Sequence, residues 1–232
     1  FMGDDIHYAS NHDFVGIEFS IHGMLDGRVR VGMPGKFNAD NALAALAVCT
    51  LALSGGSGVL DDHTKQAILG SLVKVRVDGR MEIAHVSKKC SVIVDYAHNA
   101  VSMESLLTTL RDYHPKRLVC VFGCGGNRAR DRRYSMGEIG GKMADLCIIT
   151  ADNPRFEKNE DIIKDIEVGL AKTDGTYLVI PDRREAIFYA IRNAEEGDMI
   201  AIIGKGHEDY QEIEGVKHHF LDREVVEEAV NG

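Results

Sequence analysis

From about Met81 to the end, the chain alternates between short apolar runs and amphipathic helical patterns. The runs "SVIVDYA", "RLVCVF", "DLCIIT", "TYLVIP" and "DMIAII" are almost continuous in Val, Ile and Leu. Such runs are typical of parallel strands that are buried on both faces. The pattern predicts a doubly wound, Rossmann-like α/β domain with a mostly parallel sheet over residues 79–232. A polar hairpin, "EDYQEIEGVKHHF", is predicted before the last helix.

The first part of the chain has a different pattern. Alternation in "GIEFSIHG" and "GRVRVGMPG" predicts half-buried strands joined by glycine turns. "FNADNALAALAVCTLAL" predicts a helix capped by Asn38 or Asp40, and a second helix is predicted from about Asp61 to Leu72. These elements have no obvious partner sheet and are expected to bury little, so residues 1–78 are interpreted as part of another domain.

Composition and charge exclude several classes of protein. The 232 residues are 44% hydrophobic and carry a formal net charge of −9 at pH 7, without an apolar run of membrane-spanning length. The acidic balance argues against nonspecific nucleic-acid binding, which needs clustered positive charge. Cys90, Cys120 and Cys147 lie in or beside apolar runs, which indicates reduced, buried thiols in a cytosolic protein. Cys120 and Cys124 lack a second ligand pair at zinc spacing, so no metal site is predicted.

Polar residues follow four of the predicted strands, at the edge where doubly wound sheets bind ligands. Each cluster alone has a structural explanation, because glycines end strands, Asn-Pro begins turns and an aspartate caps helices. Four such clusters at one edge indicate a ligand site. They are Asp95-Tyr96-Ala97-His98, Gly123-Cys124-Gly125-Gly126-Asn127-Arg128, Asp152-Asn153-Pro154-Arg155 and Gly204-Lys205-Gly206-His207-Glu208.

The residue types in these clusters predict the charge of the ligand. Arginine presents a planar fork that suits carboxylates, so Arg128 and Arg155 are predicted to clamp one. Asp152 and Glu208 would then meet an ammonium group, which suits an amino acid or one end of a long diamino acid. The dense basic stretch from Arg128 to Arg133 is otherwise interpreted as a solvated loop. The chain contains no G-x-x-x-x-G-K-[ST] phosphate-binding loop.

The motifs "GKFNADNALAAL", "DGRMEIA", "VIVDYAHN", "VFGCGGNRARDRR", "ADNPR" and "GKGHEDYQ" occur in this order. Together they resemble the Mur ligase family over essentially the whole chain, and within it the MurE branch that adds meso-diaminopimelate. GKGHE together with DNPR is specific, whereas DYAHN is shared with related amide ligases. The resemblance implies the C-terminal part of a central ATP-binding domain over residues 1–78 and a C-terminal, amino-acid-binding domain over residues 79–232.

The resemblance also implies roles for matched residues. The expected ATP contacts are Asn38, Asn41, Arg80, Asp95 and His98. The expected amino-acid contacts are Arg128, Asp152, Asn153, Arg155, Gly204 and Glu208. His98 is equally well interpreted as a helix cap, and Lys205 as either a substrate contact or a solvated side chain. No catalytic residue and no metal ligand is assigned.

The implied reaction is ATP-dependent amide formation in the cytoplasm. A carboxylate of UDP-MurNAc-L-Ala-D-Glu attacks ATP to give an acyl phosphate, and the amine of meso-diaminopimelate displaces phosphate. Such phosphoryl transfer uses Mg²⁺ and fixed cations. The expected partners are these small molecules and a missing N-terminal part of the same protein, with no nucleic acid and no membrane. The chain is expected to be a fragment that is inactive alone, because it lacks the phosphate-binding loop.

Some positions depart from the family pattern. Asn127 and Ala129 stand where the family usually has acids, which would leave Arg128 less neutralised. Two alternatives stay open. One is another amide ligase of the superfamily, of the folylpolyglutamate or cyanophycin type, and the other is a stand-alone amino-acid-binding module without catalysis.

Overall fold

The computed structural model describes residues 1–232, which form two compact units, Phe1–Arg76 and Val77–Gly232. The first unit begins with an antiparallel sheet in the order β1 (Met2–Asn11), β2 (Phe14–His22) and β3 (Gly27–Val31). Helices α1 (Phe37–Leu53) and α2 (Asp62–Ser71) follow, and a 3₁₀ turn, Leu72–Lys74, ends the unit. The predicted strands and helices of this part are confirmed.

The first unit has a core of its own, so the expectation that it buries little is wrong. Ile17, Phe19 and Ile21 on β2 are fully buried and form one cluster with Leu46 of α1 and Leu72. The helices cover the apolar face of the sheet. The interpretation of this unit as part of a central ATP-binding domain stays a prediction.

The structure caps α2 with a side chain, whereas the caps predicted for α1 are wrong. Asp61 caps α2, since its carboxylate accepts from the backbone N–H of Thr64 at 2.9 Å. Neither Asn38 nor Asp40 caps α1, because both lie inside the helix and the capping residue is Lys36. The Asn38 amide instead donates to the carbonyl of Pro34 at 2.7 Å.

The second unit is the predicted doubly wound α/β domain. None of its helices is both long and apolar enough to cross a bilayer. Its elements are β4 (Glu82–Val86), β5 (Cys90–Asp95), α3 (Ala100–Arg111), β6 (Arg117–Phe122), α4 (Arg130–Met143), β7 (Leu146–Ile149), α5 (Asn159–Leu170), β8 (Tyr177–Val179), α6 (Arg183–Arg192), β9 (Asp198–Ile203), β10 (Tyr210–Ile213), β11 (Val216–His219) and α7 (Asp222–Asn231). Strands β10 and β11 form the predicted hairpin.

The main sheet has six strands in the order β4-β5-β9-β6-β7-β8. Strands β5 to β9 run parallel, whereas β4 is antiparallel to β5 at one edge. Strand β4 was not among the predicted strands, because its short sequence "EIAHV" lacks a continuous apolar run. The last parallel strand, β9, inserts between β5 and β6. The carboxyl ends of β5, β9, β6 and β7 are therefore neighbours.

The basic stretch after β6 is not the solvated loop that was predicted. Residues Arg130–Arg133 form the first turn of α4, and Arg133 is 1% exposed. The Arg133 guanidinium pairs with Glu157 at 2.8 Å and with Asp165 at 2.9 Å. Two carboxylates compensate the buried charge, which joins the start of α4 to α5 and to the loop before it.

Helix α4 begins without a side-chain cap, which gives a testable expectation about stability. Ala129 stands at the capping position with φ −58° and ψ 131°, and no side chain bonds to the first-turn N–H groups. Ala129→Ser should stabilise the unit by about 1 kcal/mol, because the hydroxyl would accept from one of those donors. Urea denaturation measures the difference. Ala100→Ser is the matched control, since α3 is already capped by Asn99; equal unfolding midpoints for both variants would contradict the expectation.

Candidate functional site

The loops that follow β5, β6, β7 and β9 surround one cavity of about 220 Å³. They meet because these four strands are adjacent in the sheet and end at the same edge. The lining residues are Tyr96, His98, Gly123, Cys124, Gly125, Arg128, Arg132, Asp152, Asn153, Arg155, Gly204 and Glu208. The predicted convergence of separate strand tips into one cavity is confirmed.

All six residues predicted to contact an amino acid lie in this lining, and their binding roles stay a prediction. The residues predicted to contact ATP are more dispersed. His98 lines the cavity, and the guanidinium of Arg80 lies over the Tyr96 ring, 5.0 Å from its centroid. Asn38 and Asn41 belong to the first unit, where the Asn41 amide donates to the Asn38 side chain at 3.0 Å.

The glycine loop after β6 is packed directly against the loop after β7. The N–H of Gly126 donates to the carbonyl of Asn153 at 2.8 Å. A Cβ atom at Gly126 would lie 1.9 Å from the carbonyl oxygen of Pro154, and one at Gly123 would lie 2.2 Å from that of Thr150. The glycines therefore bring two backbones into contact, which shapes one wall of the cavity.

Arg155 is held in place by the protein itself. Its Nε pairs with Glu212 at 3.2 Å, and its Nη1 donates to the carbonyl of Gly126 at 2.8 Å. Its backbone is in the left-handed region, with φ 54°, and its N–H donates to the carbonyl of Glu212 at 2.9 Å. The β10 strand thus fixes the arginine and offsets its charge. Arg128, the other half of the predicted clamp, is exposed and forms no ion pair or hydrogen bond.

Asn153 orients Glu208. The Asn153 amide nitrogen donates to Glu208 Oε2 at 2.8 Å, and its Oδ1 accepts from the backbone N–H of Glu212 at 2.9 Å. The hydroxyl of Tyr96 donates to Glu208 Oε1 at 3.4 Å. Asn153 is buried, and both ends of its amide are engaged. The structure therefore gives Asn153 a positioning role and presents Glu208 to the cavity.

Lys205 lies in the protein interior, so its interpretation as a solvated side chain is wrong, whereas a contact with substrate stays a prediction. It is fully buried, donates to the carbonyl of Tyr210, and lies 3.5 Å from Glu208 Oε2. Burial lowers the pKa of Lys205. Burial raises the pKa of Asp152, while Arg183 and Lys205 act in the opposite direction. A buried cation thus supports the carboxylates from outside the cavity.

Asp95 ties the start of β4 to the end of β5. Its Oδ2 accepts from the N–H of Met81 and its Oδ1 from the N–H of Ala97, both at 2.7 Å. Burial raises the pKa of Asp95, and these hydrogen bonds oppose the rise. Both oxygens of Asp95 are engaged and the residue is buried, which gives it a structural role at the end of β5; its contact with a nucleotide stays a prediction.

His98 is not a helix cap. The residue after it, Asn99, caps α3 by accepting from the N–H of Ser102 at 2.9 Å, and Ser102 completes a capping box. The His98 ring is exposed, lies 4.9 Å from the Tyr96 ring, and its Nδ1 is 2.9 Å from the Tyr96 carbonyl. It remains available at the rim of the cavity.

Apart from the glycines, three lining residues had no predicted role. The Tyr96 ring contacts the rings of His98 and His207, and its hydroxyl contacts Glu208. Its position in the DYAHN motif was a signal in the sequence. In the sequence, Arg132 is one of several arginines in the basic stretch, and only its spacing of four residues from Arg128 distinguishes it. Burial raises the pKa of Cys124 to about 12, so this thiol is protonated at neutral pH. Cys124 is therefore part of the wall of the cavity and does not act as a nucleophile.

The cavity presents both signs of charge within a small volume. Guanidinium groups of Arg128, Arg132 and Arg155 and carboxylates of Asp152 and Glu208 share its lining. The volume is below the roughly 300–1,000 Å³ of sites for drug-sized ligands. This arrangement suits a small zwitterion, because each charge on the ligand finds a fixed group of the opposite sign.

Comparison with known proteins agrees with this geometry. The Mur_ligase_C family, described as "Mur ligase, glutamate ligase domain", matches residues 79–206. Curated UDP-N-acetylmuramoyl-L-alanyl-D-glutamate–2,6-diaminopimelate ligases are similar to most of the chain. That of Aquifex aeolicus is 46% identical over 85% of this chain and 39% of its own length. The ligase of Clostridioides difficile is 43% identical over 87% of this chain and 40% of its own length. The ligase of Syntrophomonas wolfei is 41% identical over 95% of this chain and 44% of its own length. The chain thus spans about two fifths of the length of these relatives.

Solved structures give the same result. A UDP-N-acetylmuramoyl-L-alanyl-D-glutamate–2,6-diaminopimelate ligase covers 99% of this chain, and 45% of that chain is matched, with a TM-score of 0.74 and 34% identity. A folylpolyglutamate synthase of Thermotoga maritima matches 84% of this chain and 42% of its own, with a TM-score of 0.58 and 22% identity, which shows a shared fold alone. The family match over residues 79–206 and the named relatives lead to one conclusion: this chain belongs to the Mur ligase family.

Proposed function

We propose that this chain holds the amino-acid substrate of an ATP-dependent ligase that adds meso-diaminopimelate to UDP-MurNAc-L-Ala-D-Glu in the cytoplasm, during synthesis of peptidoglycan precursors. The observation that carries the proposal is the small cavity with guanidinium and carboxylate groups on its walls. The names of the curated relatives, which are 2,6-diaminopimelate ligases, support the choice of diaminopimelate. Of the residues described above, Glu208 is the carboxylate best placed to receive a ligand ammonium.

The proposed reaction has two steps. A substrate carboxylate takes the γ-phosphoryl group of ATP, which gives an acyl phosphate and ADP. The uncharged amine of diaminopimelate then forms the C–N bond, the bond from the carbonyl carbon to the phosphate oxygen breaks, and the amine loses a proton. Residues of this chain contribute to the second step by holding the amine-bearing molecule in one orientation, which reduces the entropic cost of the encounter.

Fewer residues are proposed to contact ATP than the resemblance implies, and none is proposed to bind the metal. Arg80 and His98 flank Tyr96 and are available to an ATP phosphate, whereas both oxygens of Asp95 are engaged by backbone N–H groups. Mg²⁺ would neutralise phosphate charge when bound. The 232 residues contain no group of three or more His, Cys, Asp or Glu side chains placed to hold a metal ion. We therefore assign no residue and no step to a metal.

Isothermal titration of the chain with meso-diaminopimelate, L-lysine, L-glutamate and L-arginine tests the proposal. We expect the tightest binding for meso-diaminopimelate, because it alone has two carboxylates and two ammonium groups to match the walls of the cavity. Preference for glutamate would instead favour a ligase of the folylpolyglutamate type, and preference for arginine one of the cyanophycin type. Either result would overturn the proposed substrate.

Glu208→Gln provides a sharper test of the site. The glutamine keeps an oxygen for the Asn153 amide at nearly the same position but removes the negative charge. Loss of a charge-assisted hydrogen bond to the ligand ammonium should weaken binding by about 2 kcal/mol, roughly 30-fold. Glu214→Gln, in the exposed turn of the β10–β11 hairpin, is the matched control and should bind as the unmodified chain does. Equal affinities for the two variants would show that Glu208 does not face the ligand.

Arg155→Ala should also weaken binding of meso-diaminopimelate, by on the order of 2 kcal/mol. Part of that loss would come from the loop, because the arginine also bonds to Glu212 and to the carbonyl of Gly126. Titration and urea denaturation of the same variant separate the two contributions. Unchanged affinity would mean that the side chain serves the protein fold alone.

A further inference from the structure

We infer that Arg132 is a specificity-determining residue, which pairs with one carboxylate of a ligand that carries two. The inference rests on the proposed function and deepens it, because it explains how the site would distinguish a diamino dicarboxylic acid from lysine. Nothing in the sequence motifs assigned Arg132 a role. The structure places it in the lining of the cavity, half-buried, in the first turn of α4.

Three neighbouring arginines differ from Arg132, because each has a carboxylate partner within the protein. Arg133 is neutralised by Glu157 and Asp165, and Arg130 lies 3.6 Å from Asp165. Arg155 is paired with Glu212 at 3.2 Å. Each of these guanidinium groups already has a carboxylate partner within the protein.

Arg128 and Arg132 are different. Both line the cavity, and neither side chain forms an ion pair, a hydrogen bond or a contact with an aromatic ring. The backbone N–H of Arg132 donates to the carbonyl of Ala129 at 3.2 Å, and its guanidinium is left without a hydrogen-bond partner. The cavity therefore has two guanidinium groups whose charge no protein group satisfies.

The number of charges matches a particular class of ligand. Asp152 and Glu208 supply two carboxylates for ligand ammonium groups, and Arg128 and Arg132 supply two cations that have no partner in the protein, beside Arg155, whose charge Glu212 offsets in part. Buried Lys205 lies 3.5 Å from Glu208 and offsets part of the negative charge. The balance thus favours a ligand with at least as many carboxylates as ammonium groups. Lysine has one carboxylate and would leave one guanidinium group unpaired.

The test compares two ligands and four forms of the chain. Titration calorimetry measures the affinities of the unmodified chain, Arg132→Ala, Arg132→Lys and Arg130→Ala for meso-diaminopimelate. The affinity for L-lysine is measured by displacement of bound meso-diaminopimelate. Arg130→Ala is the matched control, because Arg130 lies on the same turn of α4 and is absent from the cavity lining.

We expect Arg132→Ala to weaken binding of meso-diaminopimelate by about tenfold or more, and binding of lysine by less than about twofold. Arg132→Lys should recover part of the loss, because it restores the charge without the planar fork. Arg130→Ala should change neither affinity. The thermal stability of Arg132→Ala should equal that of the unmodified chain, since no interaction within the protein is lost.

Two results would overturn the inference while the proposed function stands. One is unchanged affinity of Arg132→Ala for meso-diaminopimelate, and the other is an equal loss for both ligands, which would indicate a general effect on the loop. Failure of the unmodified chain to bind meso-diaminopimelate would instead overturn the proposed function, and this inference with it. The two kinds of failure are therefore distinguishable in one experiment.

Discussion

Arg183→Ala is expected to destabilise the second unit by about 3–5 kcal/mol, although Arg183 does not line the ligand cavity. Its guanidinium is fully enclosed and makes two 2.7 Å hydrogen bonds with the carboxylate of Asp222, at the start of α7. It also donates to the carbonyls of Ala151, at 3.2 Å, and Ile203, at 3.0 Å, at the ends of β7 and β9. The substitution would leave the buried carboxylate of Asp222, a buried carbonyl and a partly buried carbonyl without their donor.

Urea denaturation followed by far-ultraviolet circular dichroism measures this loss. Arg184→Ala is the matched control, because the next arginine along α6 is exposed and pairs with Glu228 at the surface. Surface ion pairs contribute about 1 kcal/mol or less. Similar free energies of unfolding for the two variants would show that the buried pair does not hold the carboxyl ends of the strands together.

Gly126→Ala is expected to damage both stability and binding, since the added Cβ would lie 1.9 Å from the carbonyl oxygen of Pro154 and 2.7 Å from its carbonyl carbon. These are backbone atoms, so no side-chain rotation relieves the clash. The loops after β6 and β7 would have to separate, which stretches the hydrogen bond from Gly126 to Asn153 and the one from Arg155 to Gly126. Overpacking of this kind costs about 1–3 kcal/mol.

The same displacement should abolish measurable binding of meso-diaminopimelate, because the two loops carry most of the lining of the cavity. Denaturation and titration calorimetry measure the two effects on one preparation. Gly70→Ala in α2 is the control, because no heavy atom lies within 4 Å of its added Cβ and alanine favours the helix. A Gly126→Ala chain as stable as the unmodified one, with unchanged affinity, would contradict the close packing described here.

The sequence predicted most of the secondary structure, because apolar runs and helical periodicity depend on residues that are close along the chain. In the second unit, the apolar runs of β5, β6, β7 and β9 and the helical periodicity between them predicted a doubly wound sheet. Strand β4 was missed because "EIAHV" alternates too little over five residues, and its pairing with β5 depends on the neighbouring strand. The motifs at the strand ends also placed the candidate site at the correct edge of the sheet.

The partners of the charged residues were not predictable in the same way. Arg128, Arg132, Arg133 and Arg155 have the same chemistry in the sequence, yet two are neutralised within the protein and two face the cavity unpaired. The carboxylates that make the difference, such as Glu212, come from elements distant along the chain. Lys205 was ambiguous for the same reason, because its burial depends on the hairpin that follows it.

The sequence by itself therefore determined the kinds of elements, their order and the polar residues that end each strand, since hydrophobic periodicity and turn chemistry act over a few residues. Only the tertiary structure decided that β9 lies between β5 and β6, that the first unit closes a core, and which cations remain available to a ligand. These features depend on contacts between segments far apart in the chain, and no local pattern specifies which distant group will satisfy a given charge.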